Sequence, residues 1–596
     1  MLPKRDPLAS INIVQLNHGS RGDEALAKKS AIGNRANKRG LLTSPAENAE
    51  FYALEISKDG IEIRCHQTGG LRAASATLRQ LLRQYGRRLP CLKIRDWPDF
   101  PRRGFMLDIS RGRVPKLETL LDLAERLADL KINELQLYTE HTFAYRKYPS
   151  VWRRWGALTA REIQTLDTRC RELGIDLVPN QNSFGHLRYF LEDPRLKKLA
   201  EVSAPYDAGD FVRRPTTLAP NHPGTLPFLR GLYDELLPNF SSRLFNVGCD
   251  ETWDLGRGRS KTLCAARSRG RVYVDFLKRI HREVAVRDKT MMFWGDIILK
   301  YPALIRGLPQ TLIALNWGYE ADHPFDRETK QFAKAKVPFY VCPGTSTWQT
   351  LIGKHDNALA NLRAAACAGK RAGAIGYLIT DWGDGGHPQP LAVSWPMIAA
   401  GAALAWNTKD FNMKNLSTTV GRDIFEDASG TAAAVAMALG FAHQKLGVRA
   451  ENETPLGTVI AAPPLEQREL FCRNGLKWFA KIPSSRIRAA LSDIERRRRI
   501  LQRARPRHAL GKLLAHELDL AARMAAESCR FMLWQQAVAG GKTAETKKLA
   551  RAGIAGLRQL EHDFNRYWPL RNKATPLPCS AFLRWRIADY RRGEVK

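Results

Sequence analysis

From residue 104 onward, short apolar runs alternate with longer stretches whose apolar residues return every three or four positions. The runs are GFMLDIS (104–110), INELQLYT (132–139), IDLVPN (175–180), LFNVGCDE (244–251), TMMFWGD (290–296), TLIALNW (311–317), PFYVCPG (338–344) and GAIGYLITDW (373–382). Short runs rich in β-branched and aromatic residues predict strands, and the apolar stripes between them predict helices. The clearest helices are LETLLDLAERLADLK (117–131), TAREIQTLDTRCRELG (159–174), PGTLPFLRGLYDELLPNF (223–240) and RVYVDFLKRIHREVAVR (271–287). Strands that alternate with helices predict parallel βα units. Eight such units in about 280 residues predict a closed (β/α)8 TIM barrel, an α/β fold whose usual size is about 250 residues. The alternative is an open, doubly wound sheet. For a nucleotide role that sheet would carry a glycine-rich phosphate loop after an early strand, and neither GxGxxG nor a P-loop occurs.

Beyond about residue 416 the apolar runs stop. DIFEDASGTAAAVAMALGFAHQKLG (423–447), the stretch 491–540 and TKKLARAGIAGLRQLEHDFNRYWPL (546–570) carry the apolar stripes of helices. Three parts are expected: a small α/β domain over 1–100, the barrel over 101–415 and an α-helical domain over 416–596. The first roughly 45 residues add no clear pattern. The 485–535 stretch is a coiled-coil candidate, although its apolar spacing departs from a strict heptad. The helical domain is expected to pack on the barrel, its ends either bordering the mouth or meeting a second copy in a homodimer.

Composition fits a soluble globular chain with a sizeable core, with 44% hydrophobic and 26% charged residues. No apolar run of about 18 residues predicts a membrane span, and the basic N-terminus leads into no signal-like apolar stretch. The ten cysteines are scattered and form no CxxC pair, which predicts reduced thiols in a cytoplasm rather than a zinc ribbon or a disulfide framework. Charge changes the picture more. A net charge of +34 attracts polyanions. It peaks locally at ERRRRILQRARPR (495–507), which reads as a solvated helix face. Without an RNP motif, zinc-finger spacing or basic-aromatic interleaving, nucleic-acid binding is disfavoured.

Barrels of this kind carry their chemistry at the C-terminal strand ends. Those ends hold Asp108 and Arg111; Tyr138, Glu140 and His141; Asn180, Asn182 and His186; Asp250 and Glu251; Trp294 and Asp296; Asn316 and Trp317; Thr345 and Trp348; Asp381 and Trp382. Four indoles around one mouth suggest walls that stack on a sugar ring.

These motifs resemble those of family 20 glycoside hydrolases, the β-N-acetylhexosaminidases. RGFMLDISRGRVPKLETLLDLAERLADLKINELQLY looks like that family's first strand, helix and second strand. Its fourth-strand H-x-G-G-D-E has its counterpart in Asn246-Val-Gly248-Cys249-Asp250-Glu251. GIDLVPNQNSFGH resembles the third-strand segment, FWGD (293–296) the fifth and ITDWGDGGH the eighth. GIEIRCHQTGGLRAASATLRQLL and IRDWPDFPRRGF resemble the end of the small domain preceding the barrel, here beginning near residue 50.

The resemblance implies substrate-assisted retaining catalysis: the sugar's own 2-acetamido oxygen attacks the anomeric carbon, and intramolecularity removes much of the entropic cost. Glu251 would protonate the leaving oxygen and later deprotonate water, a role suited to a desolvated carboxyl. Asp250, as a carboxylate, would accept the acetamide N–H and steady the positive charge. Arg111 matches the arginine that grips sugar hydroxyls. His186 would tune the acid through hydrogen bonds, or else be a loop histidine with a structural partner. Trp294, Trp348 and Trp382 would enclose the acetamide methyl and the ring face. Glu140 and His141 would line the site, and Asp381 and Asp384 would hold ring hydroxyls. Asn182 stands where an aspartate is common, which weakens a relay from His186. The tyrosine that the family uses on the acetamide after the seventh strand has no obvious counterpart; that segment offers Trp348, with Tyr340 earlier on the strand.

The expected function is an exo-acting β-N-acetylhexosaminidase on terminal GlcNAc or GalNAc, acting on a carbohydrate with no metal or organic cofactor and no membrane partner. The alternatives are a relative with altered specificity (another 2-substituent, a disaccharide unit or an acidic glycan, which the +34 charge favours) and a non-catalytic barrel that binds glycans or polyanions.

Overall fold

The computed structural model describes residues 11–15, 48–208, 212–464 and 475–594. Its centre is an eight-stranded, all-parallel barrel. The strands run, in order, Arg102–Asp108, Glu134–Tyr138, Asp176–Val178, Leu244–Asn246, Thr290–Trp294, Ile313–Trp317, Phe339–Cys342 and Gly376–Asp381. The first strand pairs with the eighth, and an isolated bridge between Asn180 and Asn246 joins the third to the fourth. That bridge closes the ring and removes the open-sheet alternative.

The strands read as nearly unbroken apolar runs because helices cover their outer faces and side chains fill the interior. Met106, Tyr138, Val178, Met292, Trp294, Leu315, Tyr340, Leu378 and Trp382 pack together inside the barrel. The alternate positions, such as Phe105, Leu137, Phe245, Phe293 and Ile379, pack outward into the larger helix-covered core. The four expected helices occupy Leu117–Asp129, Ala160–Leu173, Thr225–Leu236 and Arg269–Ala285. Ala160–Leu173 opens on a capping box, with Thr159 and Glu162 each satisfying the other's backbone N–H, and ends on Gly174 in the left-handed region.

Ahead of the barrel lies a four-stranded sheet with the helix Thr68–Tyr85 against it. Ile11–Gln15 runs parallel to Ile61–Cys65, and Tyr52–Ile56 is antiparallel to both Ile61–Cys65 and Leu92–Asp96. The sheet therefore takes in a strand well before residue 50, where the resemblance alone began.

After the barrel come the long helices Ser484–Leu501, Ala509–Ala539, Thr543–Arg571 and Leu577–Arg592, each packed on its neighbour in sequence. The coiled-coil candidate is two helices broken at 502–508, around Pro506. Its arginine run is ion-paired: Arg497 with Asp493 at 2.8 Å, Arg498 with Asp519 at 2.9 Å. No described helix is long and apolar enough to cross a membrane.

Two attachments tie this helical region to the barrel. Arg571 pairs with the fully buried Glu517 at 2.7 Å, and Glu517 also accepts the backbone N–H of Ala392, past the eighth strand. The carbonyl of Arg571 accepts from Lys116 N and Thr119 Oγ1, and Lys573 N donates to Val114 O. Beyond them, Pro578 sits against two loops at once. A side chain at Gly112 would meet its Cβ at 2.8 Å, and one at Gly386 would lie 3.1 Å from its carbonyl oxygen.

Candidate active site

The fourth strand ends in a turn of unusual backbone. Gly248, Cys249 and Glu251 have φ of 67°, 70° and 46°, a region most side chains avoid. Gly248 has no alternative, since a Cβ there would lie 2.1 Å from Asn182 Oδ1. Neighbouring chain fixes the turn: Trp294 N donates to Gly248 O, Tyr273 Oη donates to Cys249 O at 2.9 Å, and Glu251 N donates to Asp296 Oδ2 at 3.3 Å. The turn gives the adjacent carboxylates different exposure. Asp250 is 8% exposed, whereas Glu251 faces outward at 30%.

His186 lies between them. Its Nε2 is 3.3 Å from both Asp250 Oδ2 and Glu251 Oε2, and its Nδ1 is 3.6 Å from Glu140 Oε1. Burial opposes a charged imidazole here, but the carboxylates outweigh it, led by Asp250, and hold His186 well above its ordinary range. Gly185 lets this loop press on the acidic turn, as a Cβ would come 2.4 Å from Asp250 O. One donor atom from each of His186, Asp250 and Glu251 lies within 4.8 Å of the others, close enough to share a proton network or one cation.

Arg111 forms the opposite wall. It contacts Asp108 Oδ2 at 3.2 Å, Glu140 Oε1 at 3.1 Å and Asp384 Oδ1 at 4.0 Å. Its guanidinium lies 4.8 Å over Tyr138 and 5.6 Å over Trp382. Tyr138 Oη donates to Glu140 Oε1, so one carboxylate joins the arginine to the histidine. Burial pushes Asp384 up to about 7, against the pull of Arg111 and with a further push from Asp108. Burial, then Asp250 and Glu251, push Asp296 up to about 8.

Between the two walls stand aromatic rings. Trp294 and Trp382 are 5.9 Å apart, Trp317 stacks on Tyr319 at 5.1 Å, and Tyr319 meets Trp348 edge-on at 5.1 Å. The indole N–H groups of Trp294 and Trp317 have no partner among the described residues. Apolar faces with a few converging polar groups suit a sugar ring.

Two family models match the chain: the glycosyl hydrolase family 20 catalytic domain over residues 100–350, and that family's domain 2 over residues 11–97. Together they span more than half of the chain. The chain belongs to glycosyl hydrolase family 20. It is 27% identical over 295 residues to a beta-hexosaminidase of Vibrio furnissii, matching 43% of this chain and 47% of that protein. It is 24% identical over 221 residues to hexosaminidase D of Bos taurus, matching 36% of this chain and 61% of that protein. The match thus spans about half the length of these relatives. Its fold is similar to that of Flavobacterium johnsoniae chitobiase (TM-score 0.55, 17% identity, 92% of this chain and 93% of that one). It is also similar to that of a family 20 exo-β-N-acetylglucosaminidase from Vibrio harveyi (TM-score 0.54, 17% identity, 73% and 75%).

Within this family 20 barrel, Asp250, Glu251, His186, Arg111, Glu140, Trp294, Trp348 and Trp382 come together at one mouth. Four other candidates stand apart. Asp381 points outward, where it accepts hydrogen bonds from Thr345, Thr347 and Ser394 at 2.5, 2.8 and 2.9 Å; strand alternation sends Trp382 inward, and Asp384 is the acid that faces Arg111. Tyr340 lies inside the barrel at its opposite end, its hydroxyl donating to Glu134 Oε2 at 3.0 Å and accepting from Arg102. His141 packs on Tyr189 at 4.1 Å, and burial, with nearby Arg111, Arg154 and Arg188, lowers its pKa to about 3. Asn182 lies under Gly248 and donates to Thr139 O; Glu140 is the carboxylate beside His186 Nδ1.

Sequence reading missed Tyr319, two residues beyond the sixth strand. Burial pushes its phenol well up, and the Asp250 charge adds to that. Tyr319 stands between Trp317 and Trp348, so the sixth strand's loop adds an aromatic ring to the mouth. Its signal was the Trp317-x-Tyr319 spacing, which stacks two rings past a strand end.

Proposed function

We propose that the protein is an exo-acting β-N-acetylhexosaminidase that releases terminal GlcNAc or GalNAc with retention. The observation that carries this reading is a pair of adjacent carboxylates, one buried and one partly exposed, that both meet one histidine nitrogen. Asp250, the more buried, is placed to hold an acetamide N–H while the acetamide oxygen attacks the anomeric carbon. Glu251, turned outward, is placed to give a proton to the departing oxygen and then take one from water. His186 lies within 3.3 Å of both, and these carboxylates, against burial, raise its pKa. Arg111 and Asp384 supply a donor and an acceptor for ring hydroxyls. This chemistry needs no metal or cofactor. The thiols at scattered positions support a cytoplasmic site of action. The +34 charge supports acidic glycans within this substrate class.

The test is release of aryl leaving group from β-N-acetylglucosaminide and β-N-acetylgalactosaminide. Wild type should turn over at least one, and Glu251→Gln should lower kcat by about 10²–10⁴-fold. No turnover of either by folded protein would reject the N-acetyl requirement and move attention to other 2-substituents.

A further inference from the structure

Arg496, Arg497 and Arg498, in the most conspicuous basic run of the sequence, are ion-paired. The helix Thr543–Arg571 is the opposite case. Its buried face, with Gly553, Leu557, Leu560, Phe564 and Tyr567, packs on the helices Ala509–Ala539 and Leu577–Arg592. At about 100° per residue, Lys547, Lys548, Arg551, Arg558 and Arg566 fall within one sector of about 100° on the other side. All five are exposed, and none has an ion pair or a side-chain hydrogen bond among the described residues.

The acids of this helix lie outside that sector, and each is engaged: Glu545 with Arg488, Glu561 with Arg584 and Asp563 with Arg523. The sector therefore turns its charge undiminished to solvent, along about 29 Å from Lys547 to Arg566. Apolar side chains follow at its end. Leu570, in the last turn, and Leu577, which opens the next helix, are 60% and 46% exposed.

We propose that this face docks on the headgroups of an anionic lipid bilayer. The chemistry is charge complementarity: a row of four or more Lys/Arg on one helix face is drawn to acidic lipids, and each contributes near the surface. Exposed leucines beside such a row enter the boundary between headgroups and acyl chains. A nucleic acid fits less well. The sector holds no aromatic ring on which a base could stack, and a phosphate backbone offers the leucines nothing. This is contact with the surface and not a span. It is independent of the chemistry at the barrel mouth.

The test is co-sedimentation of the full chain with vesicles. Wild type should bind phosphatidylcholine vesicles holding about 30% phosphatidylglycerol, and not phosphatidylcholine alone. Binding at about 0.1 M NaCl should be lost near 0.5 M. Lys547→Glu/Arg551→Glu/Arg558→Glu should weaken it by at least about tenfold. The milder Lys547→Gln/Arg551→Gln/Arg558→Gln should weaken it about threefold or more at an unchanged melting temperature, which guards against misfolding. The same charge change on another exposed face, Arg327→Glu/Lys330→Glu/Lys334→Glu, should leave most of the binding in place. Equal losses in the two Glu triples would show that net charge alone is read, and would overturn the proposal. No binding to the anionic vesicles would overturn it too, as would binding to a DNA duplex with the vesicles left free.

Discussion

Gly248 shows how narrowly the acidic turn is specified. A methyl group there would both strain a left-handed backbone, at about 1–2 kcal/mol, and collide with Asn182. Gly248→Ala should lower the melting temperature and abolish aryl-glycoside turnover, checked by thermal melt and assay together. Asp384 and Asp296 give a pH test. Burial raises both above the usual aspartate value of about 3.9, to about 7 and about 8. The folded state therefore holds protons that the unfolded chain releases, and their stabilising contribution is full below about pH 4 and lost as pH rises through 7 to 8. Asp384→Asn and Asp296→Asn should each raise the melting temperature more at pH 8 than at pH 5; equal shifts at both would show the acids are not protonated in the fold. At this scale sequence reading located the mouth, because strand ends and motif order name positions. It did not resolve direction. Asp381 and Asp384 are three residues apart, and only the inward turn of Trp382 decides between them. Tyr340 has the right inward parity but sits too deep.

The eight strands were legible because fully covered parallel strands leave continuous apolar runs, and the helices between them keep a clear stripe. Shorter elements left little trace. The Tyr206–Asp207 and Val212–Arg213 strands are two residues each, and no periodicity shows in so short a span. The break at 502–508 was hidden by good helix formers on both sides of Pro506. Local signals can still be tested singly. Thr159→Ala removes one half of a capping box and should cost about 1 kcal/mol, read as a lower denaturant midpoint with activity retained.

For the molecule as a whole, the helical region is welded to the barrel rather than tethered to it. Glu517→Ala would leave the buried Arg571 with the longer 3.8 Å contact to Asp122 and deprive Ala392 N of its acceptor. A loss of about 3–5 kcal/mol is expected, with barrel and helices melting in one calorimetric transition; two separate transitions would show that they are independent. Sequence predicted that this region packs on the barrel, but not where, since the contacts join residues hundreds of positions apart.

Pro578 touches the loops that follow Arg111 and Asp384, two neighbours in one wall of the mouth. During synthesis the ribosome releases both loops long before it reaches Pro578. A nascent chain can therefore hold all eight strands, with both acids in sequence, and still lack the wedge that sets the spacing of that wall. The wedge arrives late, with the helix Leu577–Arg592, so on the hexosaminidase reading a barrel made without that helix should turn over aryl glycosides more slowly than one that carries it.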